Sequence, residues 1–490
     1  MGISAGSVRN FRNVGYDDEL IKLDIILSTK EEANGFTDFF VNYIQGSAQV
    51  FYYKNNFTGQ ESIVRCMHNN LAMGEAEGHP YSFSLLMRKE APYTSSSLSL
   101  KYDVQEGEVV TAVVIGPCRG FFTMVMIPTN SRRLYGSGSN SNGQLGLGST
   151  SSFKRFESVG VDTDWVTGAG GELHSHVINE SGDLFSSGEN SLGQLGLGDT
   201  IDRNLFTQVG VDSWLQVSSG SEFTVAIKTD GTLWAWGANG SGQLGQGGYD
   251  ASSHSSPLQV GTFSNWVDVE CGTQFFIVRN EDGELWGCGE DEYGQLGQGA
   301  TQTRRVLLVK IGSDTDWDLF AAGWMHTVAI KTDGTLWAWG ANFRGELGDG
   351  TTIAKYSPVQ IGTGTWKALA AGACFDSGGP DFYELGRTHG IKTDGTLWAW
   401  GSNESYELGI GSSDTNPHAS PILIDSDTDW KQVSTARTVG IAVKGSNEIW
   451  GWGANSSLEL GTGDTAFVAV PTRTFLTAIQ TSIVYDVEFF

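Results

Sequence analysis

The chain has 490 residues, 39% of them hydrophobic and 11% aromatic, enough to bury a substantial core in two or three domains or in one large repeat domain. Its formal charge of −26, from 30 Lys+Arg against 56 Asp+Glu, repels phosphate backbones; sequence-wide nucleic-acid binding is excluded and only a local basic spot remains open. Five scattered cysteines (Cys66, Cys118, Cys271, Cys288 and Cys374) include no C-x-x-C, which excludes a disulfide framework and a zinc site and predicts buried thiols.

No apolar run reaches the roughly 18 residues a membrane span needs. The opening "MGISAGSVRNFRNVGYDDEL" lacks an apolar export segment, so a soluble chain without a signal peptide is expected. Residues 1–108 contain no tryptophan. Alternation in "IKLDIILS", "AQVFYYK", "YSFSLLM" and "SLSLKYDV" predicts strands of a small β-rich domain, with one short helix within "STKEEANGFTDFFVNYIQG". Attachment or oligomerisation is the expected role of this domain, and simple capping the alternative.

From residue 109 to 490 the chain is organised by repetition. An apolar and aromatic strand, a glycine, a short polar turn and [QE]-L-G-x-G recur at Leu134–Gly148, Leu184–Gly198, Leu233–Gly247, Leu285–Gly299, Leu336–Gly350, Leu397–Gly411 and Ile449–Gly463. The closing glycines lie 50, 49, 52, 51, 61 and 52 residues apart. Within each unit, short alternating runs predict four strands. Asp230-Gly231, Asp282-Gly283, Asp333-Gly334 and Asp394-Gly395 read as two-residue type I′ hairpin turns. Residues i and i+2 share a strand face, so Trp234/Trp236, Trp337/Trp339, Trp398/Trp400 and Trp450/Trp452 are expected as paired core indoles. A second series, Trp165, Trp214, Trp266, Trp317, Trp366 and Trp430, opens a further strand in successive units. Sheets of this size bury both faces only by stacking radially, so the expected fold is all-β: a seven-bladed β-propeller after the β-rich N-terminal domain. Blade one, "VVTAVVIGPCRGFFTMVMIPTNSRRLYGSG", is degenerate, and "TSIVYDVEFF" is expected to close the ring against it.

The repeat resembles that of the regulator of chromosome condensation family, best at Gly323–Gly350 and Gly220–Gly247. The resemblance implies the propeller fold. For function it implies a range, since members include a nucleotide-exchange factor, a plant UV-B photoreceptor and a β-lactamase inhibitor. The bacterial and phage-type members are the most similar in composition. Gly323-Trp324-Met325-His326-Thr327 is similar to the photoreceptor's Gly-Trp-Arg-His-Thr signature, but Met replaces the arginine and the stretch occurs once, which argues against light sensing.

Other motifs reduce to structure. Gly240-Ser241-Gly242-Gln243-Leu244-Gly245 spells G-x-G-x-x-G but leads into a polar turn, whereas a dinucleotide loop must open a helix. Gly2–Gly6 spells a nucleophile elbow with no strand before it. His326 and His174 share a slot that Phe223 and Phe275 fill elsewhere, which predicts packing or hydrogen bonding. His174 and His176 share a face but have no third metal ligand. The pairs Asp162/Asp164, Asp314/Asp316 and Asp427/Asp429 do not supply the 6–8 oxygens calcium takes and are expected in turns. No catalytic residue, metal or cofactor is expected.

The long sixth spacing places an insertion in "GACFDSGGPDFYELGRTHG", Gly372 to Gly390, where it would interrupt a strand. Phe375, Phe382, Tyr383 and Arg387 on such a loop suit contact with a partner protein. The expected function is therefore non-enzymatic protein binding or display, as a virion or tail-associated protein meeting a host surface or another virion protein. The alternatives are a guanine-nucleotide exchange factor for a small GTPase and a protein inhibitor of an enzyme.

Overall fold

The structure is a computed structural model. It describes residues 121–128, 132–160, 164–299, 303–375, 384–445 and 448–474, together with the backbone of five strands between residues 20 and 89. It divides into two compact units: residues 1–103 with 477–490, and residues 104–476. In the first, Leu20–Leu27, Val50–Lys54, Glu61–Cys66, Gly74–Ala76 and His79–Lys89 form one antiparallel sheet. Leu20–Leu27 pairs with His79–Lys89, from Leu20↔Arg88 to Leu27↔Tyr81. The Glu61–Cys66 strand was not anticipated from the sequence. The segments expected to hold a helix and the strand "SLSLKYDV" lie outside the described residues, as does the C-terminal "TSIVYDVEFF".

The second unit is a β-propeller of four-stranded antiparallel meanders. Blades two, three, four and seven, residues 165–208, 214–259, 266–310 and 430–473, are separate sheets. Blades five and six are joined because one strand, Lys355–Phe375, is the outermost strand of five and the first strand of six. Blade one shows three strands, Phe122–Pro128, Arg132–Gly138 and Phe153–Ser158. Among the described residues no helix is long and apolar enough to cross a membrane.

The joints between blades explain the repeated glycines. The last glycine of each hallmark donates its N–H to a carbonyl on the outermost described strand of the next blade. Gly148 meets Asn204, Gly198 Ser255, Gly247 Val306, Gly299 Tyr356, Gly350 Ala419 and Gly411 Ala469, and Gly463 closes on Lys154 of blade one, all at 2.6–2.9 Å. Each of these glycines has φ between 75° and 91°, a region that L side chains enter at a cost of about 1–2 kcal/mol. The middle glycine of L-G-x-G is tight as well: a Cβ on Gly348 would stand 2.8 Å from Trp400 Nε1.

Two side chains complete the joints, the first in all seven units and the second in four. Asn140, Asn190, Asn239, Asp291, Asn342, Asn403 and Asn455 are buried, and each accepts the N–H of the leucine five residues on at 2.9–3.2 Å, which shapes the polar turn. The second tryptophan of each pair (Trp236, Trp339, Trp400 and Trp452) is fully buried. Its Nε1 donates to the carbonyl of Gln194, Gln295, Glu346 or Glu407 in the preceding blade, at 2.8–2.9 Å. Burying an indole of some 200 Å² stabilises the stack by roughly 5 kcal/mol before the cost of ordering it.

The Asp-Gly turns differ from the type I′ expectation. Gly231, Gly283, Gly334 and Gly395 have positive φ, but the aspartates before them do not, and each glycine N–H returns to the carbonyl three residues back at 2.7–3.0 Å. That is a type I turn followed by a left-handed glycine, one residue longer than predicted. The aspartate serves another purpose. Asp230 Oδ1 accepts Thr232 N at 3.0 Å and Thr232 Oγ1 at 2.6 Å, and Thr232 Oγ1 accepts Trp234 Nε1 at 2.8 Å. The same chain runs through Asp333–Thr335–Trp337 and Asp394–Thr396–Trp398, so "DGTLW" is a clasp that fixes the first indole of three of the four pairs; Trp450 Nε1 donates to Glu448 instead.

Gly348→Ala is expected to lower stability by about 2–4 kcal/mol through backbone strain and overpacking against Trp400. Leu458 holds φ 70° where five sister turns have glycine, so Leu458→Gly should raise stability by about 1 kcal/mol. Urea unfolding of both variants checks the pair of signs.

Candidate functional site

Functional variation on a repeat scaffold shows as departure from the repeat, and the departures concentrate in blade six. In blade five the first hairpin ends at the pair Ala322↔Thr327. In blade six the matching pair, Ala371↔Thr388, is followed by four more, Gly372↔Arg387 to Phe375↔Glu384. The insertion therefore lengthens a hairpin and does not interrupt a strand. In an antiparallel meander the first hairpin and the loop after the third strand leave from the same end, so this hairpin rises from the face that carries the hallmark turns.

Of the residues singled out for partner contact, Phe375 ends the long strand, while Phe382 and Tyr383 lie outside the described residues. Arg387 is placed differently from the loop position expected for it. It lies in the strand Glu384–Lys392, fully buried, and its guanidinium donates to the Ala436 carbonyl of blade seven. It occupies the slot that His174 and His326 hold in blades two and five. Those histidines reach a threonine of the next blade, Thr224 and Thr388, at 3.3 and 3.2 Å, a hydrogen-bonding role between blades. Blade seven has Gly440 instead of threonine, with Trp452 packed where a Cβ would stand; the longer arginine reaches the backbone instead.

The opposite face carries a second repeated device. The lysine ending the second strand lies over two indoles, the first-strand tryptophan and the first tryptophan of the pair. Lys228 is 5.2 Å from the Trp214 ring and 3.6 Å from Trp234; Lys331 is 4.9 and 4.6 Å from Trp317 and Trp337. Lys392 is 5.3 and 3.6 Å from Trp366 and Trp398, and Lys444 is 4.8 and 4.9 Å from Trp430 and Trp450. A cation on an indole face gains about 0.5–2 kcal/mol according to its desolvation. The first tryptophans of the pairs, Trp234, Trp337, Trp398 and Trp450, are thus half-buried seats at the rim, while their partners two residues on are interior.

Aspartates shortly before the first strand, in the connector or, for Asp425, at the end of the preceding blade's outermost strand, clamp three of these lysines. Lys228 pairs with Asp212 at 2.9 Å, Lys331 with Asp314 at 2.6 Å and Asp316 at 3.1 Å, and Lys444 with Asp425 at 3.3 Å and with Asp427. Burial works to lower the Lys331 and Lys444 pKa values, but the aspartates outweigh it and both are raised. The Asp-rich stretches before the tryptophans are therefore ion-pair partners as well as turns. The signal was present in the sequence as a lysine two residues before Asp-Gly in "IKTDGTLW".

Burial governs the remaining ionisable groups. His174, His326 and His389 are pushed down to about 3, with the Arg387 charge adding to the effect at the last two. The hallmark glutamines fold back onto the N–H two residues earlier, and in blades five to seven the residue is Glu346, Glu407 or Glu459 in the same pose, at 2.6–3.0 Å. Burial pushes Glu346 and Glu459 up to about 7 and raises Glu407. Cys271 and Cys288 are buried thiols, and burial pushes Cys288 up to about 12. Gly240–Gly245 forms the hallmark turn of blade three, with Gly242 and Gly245 at positive φ and Ser241 N held by Gln243 Oε1 at 2.8 Å. Among the described residues no group of three His, Cys, Asp or Glu could hold a metal ion.

A family model described as RCC1-like domain matches residues 212–487, and one for the regulator of chromosome condensation (RCC1) repeat matches residues 181–227. The ultraviolet-B receptor UVR8 of Arabidopsis thaliana is 28% identical over 254 residues, 51% of this chain and 55% of the receptor. The human E3 ubiquitin-protein ligase HERC2 is 33% identical over 157 residues, 32% of this chain and 3% of the ligase. The chain thus matches about half the length of the receptor and a small part of the ligase. Among solved structures, Prp20p of Saccharomyces cerevisiae is similar with a TM-score of 0.61 at 20% identity, over 75% of this chain and 88% of that one.

The buried histidines and glutamates set opposite limbs of a stability profile. The histidines, lowered from 6.5, favour the fold at neutral pH, and that contribution is lost as pH falls from about 6.5 towards 3. Glu346 and Glu459, raised from 4.5, favour the fold below 4.5, and their contribution is lost as pH rises through about 7. Thermal unfolding should therefore peak near about pH 5–6. Glu459→Gln, which restores the residue type of Gln144, Gln194, Gln243 and Gln295, should raise stability at pH 8 by about 1–3 kcal/mol and leave it unchanged near pH 5.

Proposed function

This chain belongs to the RCC1-like domain family, and from that premise we propose that it is a non-enzymatic protein-binding propeller whose blade six is turned towards the partner. The observation that carries the reading is the four-pair extension of the blade-six hairpin on the hallmark-turn face, made without altering the joints on either side. A rigid ring that varies one loop suits recognition, because the scaffold fixes where the variable segment stands. Prp20p, whose solved structure was described with its binding to Gsp1p and histones, uses the same fold for protein partners. Phe375, Phe382 and Tyr383 supply aromatic groups of the kind enriched at the centres of protein interfaces. Arg387 acts from beneath, tying the base of the hairpin to blade seven.

The finer form of the reading is a virion or tail-associated display protein, with residues 1–108 for attachment and residues 109–490 as the binding head. Its support is the Asn/Ser/Thr/Gly-rich, lysine-poor repeat. Guanine-nucleotide exchange is the competing reading, suggested by the fold shared with Prp20p.

Partner capture from a cognate extract tests the reading. The Phe382→Ala/Tyr383→Ala double variant should retain the wild-type Tm and lose at least tenfold in affinity for the captured protein, by about 1.4 kcal/mol per factor of ten. Undiminished affinity would contradict it. Recovery of the chain from purified particles by mass spectrometry supports the virion form, while accelerated release of a fluorescent guanine nucleotide from a small GTPase would replace it with exchange.

A further inference from the structure

Four lysines share one pose over paired indoles, and three of them are neutralised by aspartates shortly before the blade's first strand. The fourth is Lys392. Its connector, Gly362-Thr363-Gly364-Thr365, is one residue shorter than Gly312-Ser313-Asp314-Thr315-Asp316 of blade five and contains no carboxylate. Among the described residues no ion pair reaches Lys392, and its side chain is half-buried over Trp366 and Trp398.

The turn aspartate does not replace the missing clamp. Asp394 is held by Thr396 N and Oγ1 at 3.0 and 2.6 Å, as Asp230 and Asp333 are in the clamped blades three and five. Those hydrogen bonds, and after them the charges of Lys392 and Lys367, lower its pKa. Lys367, exposed on the first strand of the same blade, adds a second cation where the corresponding residue of blade five is Asp318. On a chain of net charge −26, this end of blade six is a local basic point with two flat indoles beside it.

We propose that the Lys392 ammonium, held over Trp366 and Trp398, is a docking point for a carboxylate side chain of an acidic protein segment, which takes the place that Asp212, Asp314 and Asp425 occupy in the sister blades. The partner class follows from charge complementarity and from the occupants the protein itself uses at the equivalent seats. The geometry leaves room for that group: a Cβ built on Gly364 stands 3.5 Å from Lys392 Cε and 3.8 Å from Nζ, in ordinary contact, and Gly364 has no positive φ. The space in front of the ammonium is thus open to an oxygen ligand from outside. At about 0.15 M salt the Debye length is about 8 Å, so Lys392 and Lys367, offset in part by Asp394, and not the distant net charge, set the local potential.

This inference rests on the protein-binding reading but is tested apart from it, with a peptide and no partner. Indole N–H resonances of the ¹⁵N-labelled full chain are followed while acetyl-tetraglutamate amide is added at physiological salt, with acetyl-tetraglutamine amide as control. The Trp398 resonance should shift saturably with the glutamate peptide alone, and those of Trp234, Trp337 and Trp450, whose lysines are already clamped, at least tenfold less. Gly364→Asp, which installs the internal clamp, should weaken the response at least tenfold, as should Lys392→Met, which keeps the aliphatic stem on the indoles. Equal shifts at all four seats, no shift at Trp398, an equal response to the glutamine peptide, or an undiminished response in Gly364→Asp would each overturn the docking point. None of these results bears on partner capture through the blade-six hairpin, so the two readings fail separately.

Discussion

Everything in the propeller depends on one backbone hydrogen bond made seven times: the N–H of a left-handed glycine reaching a carbonyl of the neighbouring blade. The bond constrains three things together. The donor must have positive φ, which selects glycine; the approach leaves no space for bulk on the glycines before it; and the acceptor strand must return to the same height in every unit, which holds the period near fifty residues. The seventh bond, from Gly463 to Lys154, is the same as the other six and makes a ring of what would otherwise be a solenoid with two open ends.

Because the joints are carried by backbone and by a few buried groups, the two faces are free to vary. The hallmark-turn face varies through hairpin length, and blade six has the long one. The other face varies through charge, since the same lysine-on-indoles seat is clamped by one aspartate, by two, or by none among the described residues. The ionisable groups inside the joints are more constrained. Glu346, Glu407 and Glu459 sit where other blades have glutamine, and burial raises their pKa values, those of Glu346 and Glu459 to about 7. Three consecutive blades therefore carry a stability cost that grows with pH, and the middle one, blade six, is the blade with the extended hairpin.

Much of this was legible before any coordinates, for definite reasons. The seven hallmarks announce themselves because each glycine does the same stereochemical task, and the alternation of Thr327-Val328-Ala329-Ile330 reports a strand with one face in each of two cores. What sequence reasoning missed was directional. It placed Arg387 on an exposed loop because the insertion was seen as an interruption; pairing the added residues with one another lengthens the hairpin and leaves Arg387 at its buried base. It grouped Trp234 with Trp236 by face, but position along the strand separates a rim seat from an interior donor. It read Asp-Gly as a two-residue turn, whereas the aspartate is spent on its threonine clasp and the turn takes one residue more. The lysine recurs visibly before Asp-Gly, but nothing links it to the acidic runs, which stand fifteen or more residues away in sequence and become its neighbours only when the blade folds.

Native-state hydrogen exchange of the seven closing-glycine amides tests the ring most directly. The account predicts that Gly148, Gly198, Gly247, Gly299, Gly350, Gly411 and Gly463 exchange only through the global opening of the propeller, with equal protection and a common dependence on denaturant. Fast exchange at Gly463 with protection at the other six would contradict it, showing that blades seven and one are not joined as the others are.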